Sequence, residues 1–329
     1  MDSNKKCNFA INLISIKLTV IKLTVIKLFK QKTNVFVYIL LVITMLFWGT
    51  SFIFTSIALK SLDPVSIVFI RILLSAVLLW MIIAVFFRKE KFPFALLKWI
   101  AVLAFFQPFV YFLCETFGLQ RVSPVVTSLI IATIPVFTAM VMRLFYGARL
   151  TTINFIGIFI SLAGVIFVIA GKNMQIEVDI LGLVLLFMAV FAAVVYGILL
   201  NKISSNVHPV WLVATQNSIA AVLFIPLFLM VRKPPDFNHD VVFTFLTPQW
   251  EMWTCLLILS VCCSSIAFIF YSIAVGKIGV ARCSVFSNLA PVFTAITSFF
   301  LLDEHLATLK IIGIAVVIFG LILTQQKKK

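Results

Sequence analysis

Two ionisable residues sit where ionisable residues are expensive. Glu115 is the only carboxylate well inside an apolar run, and Arg71 lies inside another. A charge at the centre of a bilayer costs roughly 2.5–3.5 kcal/mol on insertion scales, so such groups face a cavity or a partner. Arg71 follows Pro64 by seven residues, which is about 10 Å of helical rise; Glu115 is about five residues, or about 7 Å, from the end of its own run. Equal depth in the outer third points to an Arg71–Glu115 ion pair. That pair would be either a gate or plain packing. A partly desolvated carboxylate is also a candidate carrier of a coupling proton, whereas one held by an arginine stays ionised.

Other chemistries lack their residues. The chain has no HExxH, no GxSxG and no glycine-rich phosphate loop with a following lysine, and its three histidines (His208, His239, His305) fall outside the apolar runs. The six cysteines (Cys7, Cys114, Cys255, Cys262, Cys263, Cys283) show neither CxxC nor zinc spacing and read as small apolar packing residues. The sequence therefore suggests no enzyme, no metal site and no cofactor.

The elements that must position Arg71 and Glu115 are membrane helices. Of 329 residues, 63% are hydrophobic and 11% charged, against roughly a quarter charged in soluble domains. Apolar runs long enough to span lie at about 36–58, 65–87, 95–118, 124–145, 153–170, 180–200, 209–231, 253–275, 280–301 and 308–324. In hydrocarbon the backbone must satisfy its own polar groups, so these ten runs are helices. Pro64 and Pro209 fall at first turns, where no amide donor is needed. The net charge of +15 is spread over loops and ends without the clustering of a nucleic-acid site. With the amino terminus inside, 18 Lys and Arg fall on the cytoplasmic side and six opposite, so both termini are expected to be cytoplasmic, in a cell (inner) membrane. Residues 1–35 repeat a lysine every five residues (Lys17, Lys22, Lys27) and contain no uninterrupted apolar core. They read either as a basic cytoplasmic segment or as an extension outside the working protein; 325–329 reads as a basic cytoplasmic tail. The loop at about 232–252 reads as a connector.

The chain repeats itself. Pro135-Val136-Phe137-Thr138-Ala139 recurs 156 residues later as Pro291-Val292-Phe293-Thr294-Ala295, and at the same offset Gly157 meets Gly313 and Gly164 meets Gly320. Pro64-Val65 matches Pro209-Val210, and Trp48-Gly49 matches Tyr196-Gly197. The unit is five helices, 36–170 and then 180–324. Two copies of an odd-numbered unit must have opposite topology, the inverted-repeat construction common in secondary transporters. Under this relation Arg71 corresponds to Gln216 and Glu115 to Tyr271. One gate would then be an ion pair and its mirror a Gln216–Tyr271 hydrogen bond. Repetition kept only for packing is the plainer alternative.

The carrying stretches are Phe47-Trp48-Gly49-Thr50-Ser51-Phe52, Asp63-Pro64, Phe69-Ile70-Arg71, Tyr271-Ser272-Ile273-Ala274, Asn288-Leu289-Ala290-Pro291-Val292, Asp303-Glu304 and Gly313. In this order and spacing they resemble the EamA-like family of the drug/metabolite transporter superfamily, over about 36–324. One departure stands out: the family's Gly-Glu after the fourth and ninth helices reads Asp303-Glu304 in the second half and Gly147-Ala148 in the first. The resemblance implies export or exchange of amino acids, other metabolites or toxic compounds. It also implies a central cavity lined by the runs at 36–58, 95–118, 124–145, 180–200, 253–275 and 280–301. On that analogy the substrate-binding candidates are Trp48, Gln107, Tyr111, Tyr196, Tyr271 and Asn288; the gating or coupling candidates, from depth and the repeat, are Glu115, Arg71 and Gln216. Thr127, Ser128, Ser284 and Ser287 are ambiguous, because small polar residues also mediate close helix packing.

The expectation is a secondary transporter of small organic metabolites (amino acid, metabolite or drug class), an exporter or exchanger working by alternating access in the lipid bilayer. A membrane-embedded enzyme, a lipid-handling protein and a passive channel are the rivals. A coupling proton and a homodimer are open partners; nucleic acid is not one.

Overall fold

A computed structural model describes residues 34–87, 94–146, 179–231, 250–301 and 308–324, with isolated positions between 152 and 164. Among the described residues, eight helices are long and apolar enough to cross a membrane. They are α1 (Asn34–Ala58), α2 (Pro64–Phe86), α3 (Phe94–Leu119), α4 (Pro124–Phe145), α5 (Ile180–Ile203), α6 (Pro209–Val231), α7 (Glu251–Ile278) and α8 (Val280–Leu301). A further 17-residue helix, α9 (Thr308–Thr324), occupies the last expected run. The segments 1–33, 232–249 and 325–329, with most of the expected fifth run at 153–170, lie outside the described residues.

Local chemistry sets the helix ends. Asp63 caps α2 by accepting from the Ser66 amide at 2.9 Å, and Pro64 takes the first turn. Asp179 caps α5, accepting from the amides of Leu181 (2.7 Å) and Gly182 (3.2 Å). Each satisfies amide donors that the first turn leaves without partners. Between α7 and α8 the chain turns at Gly279, whose φ of +84° would strain any side chain with a Cβ.

The repeated sequence produces repeated irregularities. The third helix of each half carries a widened, π-type turn: Phe105–Val110 in α3 and Leu259–Ile266 in α7. In α3 the cause is Pro108, which has no amide to donate, and Gln107 is thrown into an extended conformation (φ −148°, ψ 121°). The fourth helix of each half is interrupted beside the shared Pro-Val-Phe-Thr-Ala. In α4 the break follows Ile131, before Pro135; in α8 a 3-10 stretch, Ser284–Leu289, precedes Pro291.

Packing between the halves is reciprocal. α1 packs on α7 and α8, α5 packs on α3 and α4, and α2 packs on α6. The α2–α6 pair runs antiparallel: Phe69 stacks on Phe228 (4.5 Å between ring centres), Ser75 meets Asn217, and Trp80 meets Trp211 (5.5 Å). These are equivalent helices of the two sequence repeats.

Candidate functional site

Six helices surround a cavity of about 60 Å³. Its wall takes Met45, Trp48, Ser51 and Phe52 from α1 and Gln107, Tyr111, Phe112 and Glu115 from α3. The rest comes from Ile131 and Ile134 (α4), Ala193 and Tyr196 (α5), Tyr271 (α7), and Ser284, Ser287 and Ala290 (α8). These are the six helices that the family resemblance implies. Five of the six substrate-binding candidates (Trp48, Gln107, Tyr111, Tyr196, Tyr271) share this wall, together with Glu115. Roughly 10–15 Å³ holds one water by this kind of measure, so the space seen fits a few waters and no more.

Asn288 is not in the wall. In a 3-10 helix, residues three apart eclipse. Ser284 and Ser287 therefore share the cavity face, and Asn288 is turned about a third of a revolution away, with Oδ1 buried and without a hydrogen-bond partner. Arg71 and Gln216 are also absent from the wall, because α2 and α6 contribute nothing to it.

The expected Arg71–Glu115 ion pair does not form. A salt bridge forms instead between Arg121 and Asp179, at 2.9 Å and largely exposed. Arg71 is fully buried; its Nε donates to Ser264 Oγ at 3.0 Å, and its Cζ lies 4.1 Å from the centre of the Phe112 ring. Phe112 occupies the place where the carboxylate was expected. Arg71 Nη1 and Glu115 Oε2 both lack hydrogen-bond partners, although the two charges act on each other. The mirror contact fails too. The buried amide of Gln216 faces Tyr196 rather than Tyr271, while Tyr271 turns to Trp48 at 5.0 Å between ring centres.

What holds Arg71's neighbourhood is a network not foreseen from sequence. The Ser264 carbonyl, within the widened turn of α7, accepts from Ser75 Oγ (3.1 Å) and Asn217 Nδ2 (3.0 Å). Asn217 also donates to Ser75 Oγ (2.8 Å), and Ser265 Oγ donates to the Ser260 carbonyl (2.8 Å). The network ties α2, α6 and α7 at one point. Its sequence signal was the cluster Ser260, Ser264 and Ser265 inside an apolar run, where serines must find backbone partners.

Within the wall, four polar side chains spend their hydrogens on the backbone. Trp48 Nε1 donates to the Cys263 carbonyl (3.3 Å), Ser51 Oγ to the Trp48 carbonyl (2.7 Å), Ser284 Oγ to the Ala281 carbonyl (3.3 Å) and Ser287 Oγ to the Ser284 carbonyl (2.6 Å). Trp48 thus offers the cavity its ring and not its donor. Tyr196, edge-on to Phe268, has its buried hydroxyl directed at the Gln216 amide.

Comparisons with known proteins identify the family. The model of the EamA-like transporter family matches twice, at residues 35–170 and 180–325. An uncharacterized transporter of Archaeoglobus fulgidus is 29% identical over 302 residues, 88% of this chain and 98% of that one. A probable amino-acid metabolite efflux pump of Escherichia coli is 24% identical over 285 residues, 86% and 92% respectively. A solved crystal structure shares the fold, with a TM-score of 0.64 at 16% identity over 88% of this chain and 96% of the other. With eight membrane-length helices and two family matches spanning most of its length, this multi-pass membrane protein belongs to the EamA-like transporter family.

Proposed function

We propose that the chain is a secondary carrier of small organic metabolites that works by alternating access, with its solute held in the cavity between the halves. The observation that carries the reading is the composition of the wall: α1, α3 and α4 of the first half and α5, α7 and α8 of the second, the same three positions in each. A site shared in this way is reached from either face by rocking one half against the other. The cavity's size supports motion over a standing pore, since about 60 Å³ must widen to admit an organic solute.

In this reading the halves are inverted five-helix units within ten spans, with both termini cytoplasmic. The antiparallel course of the equivalent helices α2 and α6 supports inversion, because turning one half about the bilayer normal would leave them parallel. The E. coli relative's name supports outward movement of an amino-acid-class metabolite. No residue of the wall forms a nucleophile–base pair, which favours carriage over catalysis.

The test is a solute screen in vesicles holding the purified chain. Labelled solute inside should be driven out by unlabelled solute added outside, with saturation. Flux that rises linearly with concentration and shows no such exchange would refute a carrier. Repeating the exchange with and without a proton gradient reads coupling.

A further inference from the structure

We propose that the cavity selects organic cations with an apolar or aromatic body, a substrate class that rests on the carrier reading above. Three features of the wall converge on it.

The first is charge. Glu115 is the only charged side chain among the described residues of the wall; it is 1% exposed, and its Oε2 has no hydrogen-bond partner. The nearest cation, Arg71, is outside the wall, held by Ser264 and set against the ring of Phe112, which is itself a wall residue. That ring stands between the guanidinium and the cavity. A buried carboxylate without a partner is costly, and a cation entering the cavity removes the cost.

The second is the balance of donors and acceptors. The hydrogens of Trp48, Ser51, Ser284 and Ser287 all go to backbone carbonyls, so these residues have only lone pairs and ring faces left to offer. An anionic solute would lose those four donors of the wall to the backbone and would lie beside Glu115 in a medium of low dielectric. A solute rich in N–H groups, or a quaternary ammonium that needs no acceptor, meets no such conflict.

The third is the aromatic surface. Trp48, Phe52, Tyr111, Phe112, Tyr196 and Tyr271 contribute rings to one small cavity. Ring faces attract cations, tryptophan most strongly, and several rings around one ammonium form the recognised aromatic cage. The molecule already uses this interaction between Arg71 and Phe112, at 4.1 Å.

The experiment is titration calorimetry on the purified full chain in detergent with three probes of similar body: benzyltrimethylammonium, 3-phenylpropanol and 3-phenylpropionate. The first is a permanent cation, so its own protonation does not enter. The expected result is that the cation binds at least about tenfold more tightly than the alcohol and the anion shows no heat of binding. Glu115→Gln should weaken the cation about tenfold or more while leaving the alcohol within about twofold, which also shows that the variant is folded; Glu115→Asp should restore part of the cation's affinity. Equal affinities for cation and alcohol, tighter binding of the anion, or a cation affinity unmoved by Glu115→Gln would each overturn the proposal. Cation binding without solute exchange in vesicles would refute the carrier and leave this inference standing. Saturable exchange of a neutral or anionic metabolite without cation binding would do the reverse.

Discussion

The guanidinium carbon of Arg71 lies 4.1 Å from the centre of the Phe112 ring, and the arginine's Nε donates to Ser264 rather than to Glu115. A buried cation in this chain is thus steadied by a ring and a hydroxyl, and the carboxylate at similar depth remains on the cavity. Four predictions follow from this and neighbouring contacts.

Ser264→Ala removes the acceptor of Arg71 Nε while leaving the Ser264 backbone carbonyl in place. Hydrogen bonds inside membrane proteins average about 0.6 kcal/mol and reach about 1.7, and a charged donor belongs at the upper end. The expected loss is about 1–2 kcal/mol, read as a lower unfolding midpoint in detergent. Pairing it with Arg71→Met in a double-mutant cycle should make the two losses less than additive.

Ser287→Phe should abolish solute exchange with the fold retained, because Ser287 faces a cavity of only about 60 Å³. Asn288→Ala, one residue on but turned away from the wall, should change the exchange rate less than about twofold. A direct assay of vesicle counterflow distinguishes them, and equal effects would contradict the face assignment along the 3-10 stretch.

Gly49 marks where α1 meets α8. A Cβ there would stand 2.6 Å from the Ala290 carbonyl oxygen and 2.9 Å from Phe293 Cβ. Gly49→Ala is expected to cost about 1–3 kcal/mol by overpacking. Gly276→Ala, whose Cβ would lie 3.3 Å from Ser204, should cost markedly less in the same melting experiment.

Asp179 gives a pH dependence. Its carboxyl is held below the usual carboxylate range, first by the hydrogen bond from Arg121 and then by the amides of Gly182 and Leu181. A carboxylate depressed in this way stabilises the fold at neutral pH, and the contribution disappears as pH falls through its folded-state value. Asp179→Asn should therefore melt below the parent protein at pH 7. The gap should close below about pH 4 and shrink in high salt, since the ion pair is exposed.

Hydropathy and proline placement made most of the architecture legible in the sequence. Apolar length sets span position, Pro64 and Pro209 set starts, and Pro135 and Pro291 announced matching helices whose matching breaks the structure displays. Depth along a helix was equally readable, but depth says nothing of azimuth. Arg71 and Glu115 are at similar heights, yet they face different neighbours because α2 is excluded from the wall that α3 joins. Asn288 was carried over by family resemblance, which does not reveal that its stretch winds three residues per turn and turns it from the wall. Phe112 escaped notice because one phenylalanine among 35 carries no signal of its own. The tie between Ser75, Asn217 and Ser264 crosses three helices, and its one trace in the sequence is the cluster Ser260, Ser264 and Ser265, which does not say what those serines meet.

The central claim is that one cavity serves both faces of the membrane by turns. With the native cysteines replaced by alanine and Ser284 by cysteine, a membrane-impermeant thiol reagent can be applied to right-side-out and to inside-out vesicles, and the modified fraction counted by mass spectrometry. Alternating access gives labelling from each face, with the two rates shifting in opposite directions when saturating solute is supplied on one side. Labelling from one face only under every condition, or rates that rise and fall together, would contradict it.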